Sequence, residues 1–262
     1  MKKTEVFTVF HGLEEFFRSS SVNNPLPGTA FKQYADRTLY SCGVDFAPCN
    51  GVIEKNGTSL EEKFIKDTIE FFQSRKLPFL WWTENKMLEN YGFSLGGVMS
   101  GISVNLNNDS LVKFGYPAGL QIKMVQNDED LIVFSRIIGE CFGMAPHLVK
   151  QYQTFTGSAM KHQEQIHFVA YLNQKPVATI TLSTTKTSAG IWNFATLPEY
   201  RRKGIGMALT HRALIEAKNS YKDVMAVLMP KGLARGVFQH FNFKEVCQLP
   251  FYMHGTPQSL EK

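Results

Sequence analysis

The sequence predicts an α/β protein built around a mixed sheet, and the second half of the chain carries the observations behind this prediction. Runs with helical spacing alternate there with short apolar runs of the strand type. Proline, glycine and small polar residues stand at the junctions. The predicted order is helix, hairpin, strand, turn, helix, strand and helix, which suits helices packed on a sheet.

The first helix and the hairpin come from residues 128 to 185. "DEDLIVFSRIIGECFG" begins with acidic residues, and Leu131, Phe134, Ile138 and Phe142 recur in it at helical spacing. The stretch "QIHFVAYLNQKPVATITLSTT" contains two strand-like runs joined by a polar turn. We therefore expect a helix followed by a β-hairpin.

The remaining elements of this half follow in sequence. "AGIWNFATL" predicts a strand that Pro198 ends. "GMALTHRALIEAKNSYK" predicts an amphipathic helix, because Ala208, Leu209, Leu214 and Ile215 share one face. "DVMAVLM" is typical of a buried strand, and "GLARGVFQHF" of a short helix.

The first half contains a fainter version of the same pattern. "SLEEKFIKDTIEFFQSRK" predicts an amphipathic helix, and the apolar run "LPFLWW" and then "MLENYGFSLGG" follow it. Leu88 and Phe93 are spaced like Phe238 and Phe243. We interpret this as a duplicated fold, with chance similarity over a short stretch as the alternative. The polar, turn-rich "NNDSLVKFGYPAGL" predicts a boundary near residue 117, giving domains 1–117 and 118–262.

Composition narrows the class of protein. The chain has 262 residues, of which 44% are hydrophobic and 19% charged, as in a globular protein with a substantial core. Its net charge of +5 favours anionic ligands. Nucleic-acid binders concentrate their positive charge more strongly, so we expect no nucleic-acid partner.

The cysteines indicate a reducing compartment. Cys42, Cys49, Cys141 and Cys247 are widely spaced, without a CxxC pair or a histidine cluster, so we expect neither a zinc site nor a disulfide scaffold. The start "MKKTEVFTVFHGLEEFF" lacks the sustained apolar run of a signal peptide, and no stretch approaches a membrane span. We therefore expect a cytoplasmic protein without a membrane partner.

The stretch "PEYRRKGIGMAL" carries the clearest functional signal. A strand that stops at Pro198 and turns directly into a helix leaves the first helical N–H groups without partners. These groups, with the positive end of the helix dipole, bind phosphate well. Gly204 and Gly206 lack a Cβ, so a ligand can approach the backbone, and the cations at 201–203 add charge-assisted hydrogen bonds. The pattern predicts a diphosphate cradle.

Two other phosphate motifs fit this stretch poorly. A dinucleotide fingerprint needs a third glycine near position 209, where Leu209 stands. A P-loop needs Gly-Lys-Ser or Gly-Lys-Thr, and the sequence contains neither. A charged turn without a ligand is the remaining alternative.

This stretch resembles the R/Q-x-x-G-x-G/A signature of the GCN5-related N-acetyltransferase superfamily. The matching residues are Arg201, Arg202, Lys203, Gly204, Ile205 and Gly206. "NFATLPEY" is similar to the family's fourth strand and its exit, and "VFQHFNF" to the "lYeklGF" after the fifth strand. The resemblance covers roughly residues 120 to 250 in element order. The first half resembles, more weakly, the degenerate domain of tandem members.

The resemblance implies the acyl-CoA N-acyltransferase fold, a mostly antiparallel mixed sheet flanked by helices, here with two such domains in tandem. It implies acetyl-CoA as co-substrate and no metal, with the pyrophosphate on the amides from Arg201 to Met207. The pantetheine arm would pair with the strand-four backbone at Phe194, Ala195 and Thr196. A strand-four amide would then polarise the acetyl carbonyl.

The sequence departs from the family at the position of the usual tyrosine acid. Phe238 stands there, and it has no proton to give to the departing thiolate. Because a thiol has a pKa of about 8.5, the thiolate is a tolerable leaving group without an acid. His240 lies two residues further along a helix and points away. Asn242, opposite Gly92 of the first half, replaces the usual glycine and tolerates left-handed backbone.

The sequence offers several candidates for the general base. His167 is our first choice because it begins a strand facing the expected cleft, with Glu164 and Glu140 as further candidates. For each, an ordinary polar role is the alternative. Trp192 and Asn193 could line an acceptor pocket, and a place in the core is the alternative for Trp192.

Three functions are compatible with the sequence. The leading one is an acyltransferase that moves an acetyl group from acetyl-CoA to a primary amine by direct attack in a ternary complex. The second is a non-catalytic acyl-CoA-binding regulatory protein, which Phe238 favours. The third, a nucleic-acid-binding module, lacks an extended basic face. Neither the amine acceptor nor the oligomeric state can be read from the sequence.

Overall fold

A computed structural model describes residues 2–55, 60–106, 114–163, 165–186, 188–220, 223–230 and 234–255. The six α-helices within these ranges are α1 (Lys2–Ser21), α2 (Glu62–Gln73), α3 (Asp128–Cys141), α4 (Pro146–Lys161), α5 (Ile205–Asn219) and α6 (Arg235–His240). The eleven strands are β1 (Ala30–Gln33), β2 (Arg37–Ser41), β3 (Asn50–Glu54), β4 (Leu80–Trp82), β5 (Phe93–Asn105), β6 (Leu120–Met124), β7 (Gln165–Leu172), β8 (Lys175–Thr184), β9 (Ser188–Thr196), β10 (Val224–Pro230) and β11 (Lys244–His254).

All eleven strands form one sheet in the order β1-β2-β3-β4-β11-β5-β10-β9-β8-β7-β6. Two neighbouring pairs in it are parallel, β3 with β4 and β9 with β10. The other described pairs are antiparallel. The sheet is therefore mixed and mostly antiparallel, and the predicted fold class is confirmed.

The two halves of the chain exchange strands at the centre of this sheet. The last strand, β11, lies between β4 and β5 of the first half. In turn β5 lies between β11 and β10, so each half inserts one strand into the other. Along the β5–β11 pair, Phe93 is opposite His254 and Ser103 is opposite Lys244. Backbone hydrogen bonds thus join the two halves along this pair, with register shifts between Glu245 and Cys247 and between Phe251 and Tyr252.

The elements read from the second half are confirmed. They are α3, the β7–β8 hairpin, β9, α5, β10 and α6. The sequence reading missed α4, and the reason lies in its buried face. Besides Tyr152 and Phe155, that face consists of the small or polar residues 156–159, so its apolar periodicity is faint.

The predicted repeat is visible in the topology. Each half contains a parallel pair that frames a helix, β3-α2-β4 in the first half and β9-α5-β10 in the second. Gly92 before β5 and Asn242 before β11 both have left-handed backbone, with φ of 80° and 61°. The boundary near residue 117 stays a prediction, with residues 107–113 outside the described ranges. Wherever this boundary lies, β11 of the second half is placed between two strands of the first half, β4 and β5.

Helices cover both faces of the sheet, and one face carries a core shared by the two halves. Side chains of α1, α3 and α4 pack there together with strand residues from both halves. Within it, Phe16 of α1 stacks on Trp192 of β9, with ring centroids 4.3 Å apart, and Phe17 stacks on Tyr40 at 3.8 Å. We call this the shared core. On the other face, α5 and α6 cover the second half and α2 covers the first.

Candidate functional site

The strands β9 and β10 separate part-way along their length. Their pairing runs from Ser188 opposite Val224 to Ile191 opposite Val227 and ends there. Beyond this point β9 continues along β8 as far as Thr196, whereas β10 continues along β5. Residues 192–196 therefore have one edge without a neighbouring strand in the described part of the sheet, and we call this the open edge of β9.

The turn after β9 leads directly into α5. A short 3-10 helix covers Pro198–Tyr200, and Gly204 then caps α5 with left-handed backbone, φ 77°. The first helical hydrogen bond runs from the Ala208 N–H to the Gly204 carbonyl, at 3.0 Å. The N–H groups of residues 205–207 have no helical carbonyl to bond to, as in the first turn of every α-helix. They point out of the amino end of α5. Here that end adjoins the open edge of β9.

Three exposed cations precede this helix end. Arg201 donates through Nε to the Thr196 carbonyl at 3.0 Å, which ties the turn to the end of β9. Lys203 places Nζ 5.1 Å from the ring centroid of Tyr200. Arg202 has left-handed backbone, with φ of 62°. The positive charge is thus concentrated where the helix dipole is also positive.

The two glycines of the motif also have a packing role. A Cβ on Gly204 would lie 3.3 Å from Pro117 Cγ, and one on Gly206 would lie 3.1 Å from Phe194 Cζ. Both contacts are tight, and the positive φ of Gly204 adds strain for any other residue. These glycines therefore let Pro117 and Phe194 pack against the start of α5. Sequence reasoning foresaw only ligand approach.

Phe238 lies beside the open edge of β9. Its side chain is 2% exposed, and its ring is 5.5 Å from that of Phe194 and 5.2 Å from that of Phe243. Because Phe194 lies on the unpaired part of β9, α6 presents an apolar ring, without a transferable proton, towards this part of the strand.

A β-bulge occupies β9 where it leaves β10. The β8–β9 register pairs Thr181 with Trp192 but Thr179 with Ala195, so β9 has one extra residue there. Asn193 takes the left-handed conformation in the bulge, with φ of 50°. Its carbonyl accepts a hydrogen bond from Thr179 Oγ1 at 2.9 Å.

A line of four hydrogen-bonded side chains anchors this bulge. The Tyr152 hydroxyl donates to Asn193 Oδ1. Asn193 Nδ2 donates to Thr181 Oγ1 at 3.0 Å, and Thr181 Oγ1 is 2.7 Å from His167 Nδ1. We call Tyr152, Asn193, Thr181 and His167 the polar chain. Burial raises the pKa of Tyr152 well above its usual value, so its phenol stays protonated and keeps the proton that it donates to Asn193.

His167, the first-choice base, lies inside the protein. Its side chain is 0% exposed and its ring is 4.9 Å from that of Phe134. Burial lowers the pKa of His167 to about 4, so the imidazole is neutral at pH 7. Glu140 lies on the exposed side of α3, and Glu164 lies outside the described residues. The role of each as base stays a prediction.

Sequence reasoning missed the contribution of Tyr152 and of helix α1. Tyr152 lies on α4, which the pattern did not reveal, and it is 41 positions from Asn193. Phe16 comes from the other half of the chain, 176 positions from the Trp192 that it stacks on. Asn193 itself did carry a signal, because asparagine tolerates left-handed backbone in the middle of an apolar strand.

Comparison with known proteins agrees with this geometry. Residues 163–245 match the acetyltransferase (GNAT) domain family. This part of the chain is therefore similar to a GNAT domain. The matched range includes the polar chain except Tyr152, the open edge of β9, the turn, α5 and α6. No curated protein sequence matches the chain.

Solved structures extend the similarity beyond the GNAT domain, at the level of fold. A GCN5-related N-acetyltransferase from Kribbella flavida aligns with a TM-score of 0.64 and 13% identity, covering 94% of this chain and 97% of its own. A tandem GNAT protein from the clavulanic acid biosynthesis pathway aligns with a TM-score of 0.62 and 10% identity, covering 95% and 96%. The resemblance to tandem members is therefore confirmed for the fold.

Two further observations concern membranes and metal ions. Within the described ranges, no helix has both the length and the apolar character needed to span a bilayer. Among the same residues, no group of three or more His, Cys, Asp or Glu side chains is arranged to hold a metal ion.

Proposed function

We propose that the chain is an N-acetyltransferase that moves an acetyl group from acetyl-CoA to a primary amine in a ternary complex. One observation carries the proposal: the open edge of β9 leads directly to the cationic amino end of α5. A long ligand with a diphosphate at one end and amide groups along its arm matches this arrangement. The match to the GNAT domain family supports the same substrate.

The amides from Arg201 to Met207 would bind the pyrophosphate. Oriented N–H groups, the helix dipole and two arginines each stabilise an anion there. The backbone of Phe194, Ala195 and Thr196 would pair with the amides of the pantetheine arm, as an added strand pairs with a sheet edge. A strand amide near the bulge would then donate to the thioester carbonyl as negative charge develops on its oxygen.

The proposed chemistry needs a neutral amine and a departing thiolate. An alkyl ammonium has a pKa of about 10, so a base or a water path must take its proton. His167 is neutral and can accept a proton, but its lowered pKa makes it a weak base. Phe238 cannot protonate the thiolate. With a thiol pKa of about 8.5, the thiolate can leave unassisted, and the reaction is slower rather than blocked.

The second candidate is a non-catalytic acyl-CoA-binding protein. Its specific support is the buried Phe238 at the position of the family's acid. The two candidates share the ligand and differ in turnover, so measuring acetyl transfer to a panel of amines separates them.

The cradle is tested by calorimetric titration with acetyl-CoA. We expect saturable binding by the wild type and a loss of at least about 100-fold in Gly204→Glu, which places a carboxylate at the helix end. Gly204→Ala is the matched control, because it has the same backbone strain and the same contact with Pro117 but adds no charge. An absence of binding by the wild type at millimolar acetyl-CoA would refute both candidates.

A further inference from the structure

The bulge in β9 has a specific geometric consequence. In a regular strand, consecutive side chains point to opposite faces of the sheet. Here Trp192 packs on Phe16 in the shared core, and the next residue, Asn193, also reaches that face to meet Tyr152 of α4. Phe194 then points to the opposite face, towards Gly206 and α5. The left-handed torsion of Asn193 thus places two side chains in succession on the shared-core face.

The hydrogen bonds of Asn193 leave it little freedom. Its Oδ1 accepts from Tyr152, so its Nδ2 must be the donor to Thr181 Oγ1. The Thr181 hydroxyl also lies 2.7 Å from His167 Nδ1, which extends the line of hydrogen bonds to β7. Together with the bond from Thr179 to the Asn193 carbonyl, both the side chain and the main chain of the bulge are held.

The bulge also lies directly before residues 194–196 of the open edge of β9, so its backbone torsions set the direction of that part of the edge. Asn193 comes two residues after Ile191, the last residue of β9 that pairs with β10. Residues 194–196, the segment proposed to meet the pantetheine arm, follow it directly. A change in the Asn193 torsions would therefore redirect the N–H groups of this segment, whose Phe194 packs against Gly206 at the start of α5.

We propose that Asn193 and Tyr152 are positioning residues, which hold the open edge of β9 so that it recognises the thioester end of the acyl-CoA. The inference rests on the proposed function, and it assigns acyl recognition to the polar chain and anion binding to the cradle. Its consequence is a preference for acetyl-CoA over free CoA that depends on Asn193 and Tyr152. The cradle contributes equally to both ligands, because both carry the same pyrophosphate.

Calorimetric titration of four proteins with acetyl-CoA and with CoA tests this assignment. They are the wild type, Asn193→Ala, Tyr152→Phe and Ser183→Ala. We expect the wild type to prefer acetyl-CoA by about fivefold, the effect of one net hydrogen bond. Asn193→Ala and Tyr152→Phe bring this ratio to about one, because they weaken the binding of acetyl-CoA more than that of CoA, and any loss through the shared pantetheine arm is the same for both ligands.

Ser183→Ala is the matched control. Ser183 is also a β8 hydroxyl, and it accepts a hydrogen bond from Trp192 Nε1 at 2.7 Å, but it does not contact Asn193 in the polar chain. This variant should lose thermal stability and keep the ratio. Tyr152→Phe keeps the ring that packs against Phe155, so it tests the inference even if Asn193→Ala fails to fold.

The outcomes separate the two proposals. A wild type that binds neither ligand refutes the proposed function. A wild type that binds both ligands equally, variants that keep the full preference, or a ratio that also falls in Ser183→Ala would overturn the role of Asn193 and Tyr152 and leave the cradle intact.

Discussion

The amino ends of α2 and α5 occupy equivalent places in the two halves but have opposite charge. Each helix connects two parallel strands, β3 to β4 and β9 to β10. At α5 the approach is cationic and Gly204 is the cap, whereas at α2 the cap is Glu61 and the first helical residue is Glu62, both exposed. These carboxylates complement the positive end of the α2 dipole and repel a phosphate.

The comparison shows that a repeated fold does not repeat a site. Both helix ends present unpaired N–H groups, since this follows from helix geometry alone. The caps differ in charge and in backbone conformation, because Glu61 is extended and Gly204 is left-handed, and this makes one end suitable for an anion and the other unsuitable. The first half then contributes structure, through α1 in the shared core and β5 beside β10.

The largest expected effect tests whether the halves are separable at all. Phe251 of β11 is 6% exposed, lies 5.3 Å from the Trp82 ring and covers Gly96 and Gly97. Phe251→Ala should lower the free energy of unfolding by about 3–5 kcal/mol, because it leaves a cavity between exchanged strands. Urea unfolding followed by circular dichroism and by tryptophan fluorescence should show one shifted transition. Two separate transitions would mean that the halves fold independently.

The next effect concerns the buried histidine of the second half. The pKa of His167 is about 4 when folded and 6.5 when unfolded, so between these values the unfolded chain binds more protons. Stability is therefore complete above pH 6.5 and falls as the pH falls towards 4. From pH 7 to pH 5 the loss attributable to His167 is about 2 kcal/mol.

Urea unfolding at the two pH values measures this loss. His167→Gln does not titrate and serves as the control, and its stability should change by correspondingly less over the same interval. Equal pH dependence in both proteins would show that His167 is not held neutral in the core.

A smaller effect compares the two helix ends directly by charge reversal. Arg202→Glu should weaken acetyl-CoA binding by about tenfold at low ionic strength, and less at high salt. Glu61→Arg, the reverse change at α2, should leave that affinity unaltered, because the proposed cradle lies at α5. Isothermal titration of both variants checks this, and an affinity change of similar size in Glu61→Arg would place the ligand elsewhere or reveal a second site.

The smallest effect exchanges the two left-handed residues before β5 and β11. Gly92→Asn and Asn242→Gly should each change the free energy of unfolding by less than about 1 kcal/mol, since both residue types accept this conformation. The space at Gly92 allows it, as the nearest atom to an added Cβ is His254 Nε2 at 3.7 Å. Chemical denaturation measures both. A loss of several kcal/mol in one variant would show that the two turns are not equivalent.

The sequence by itself determined the features that depend on neighbouring residues. The run from Pro198 to Gly206 specifies a strand end, a turn with a left-handed glycine and a helix start, all from local backbone preferences. The alternation and helical spacing of the second half likewise predicted α3, α5, α6 and the strands β7 to β10, but not β6, α4 or β11. The repeat could be recognised in the sequence because Gly92 and Asn242 both take left-handed backbone directly before a phenylalanine.

Only the tertiary structure decided which elements meet. The exchange of β5 and β11 depends on pairing between strands about 150 residues apart, which no local pattern encodes. The polar chain combines α4, β7, β8 and β9, and the burial that lowers the pKa of His167 comes from all the elements packed around it. Backbone torsions follow from adjacent residues, whereas burial and hydrogen-bond partners follow from how the helices and strands pack.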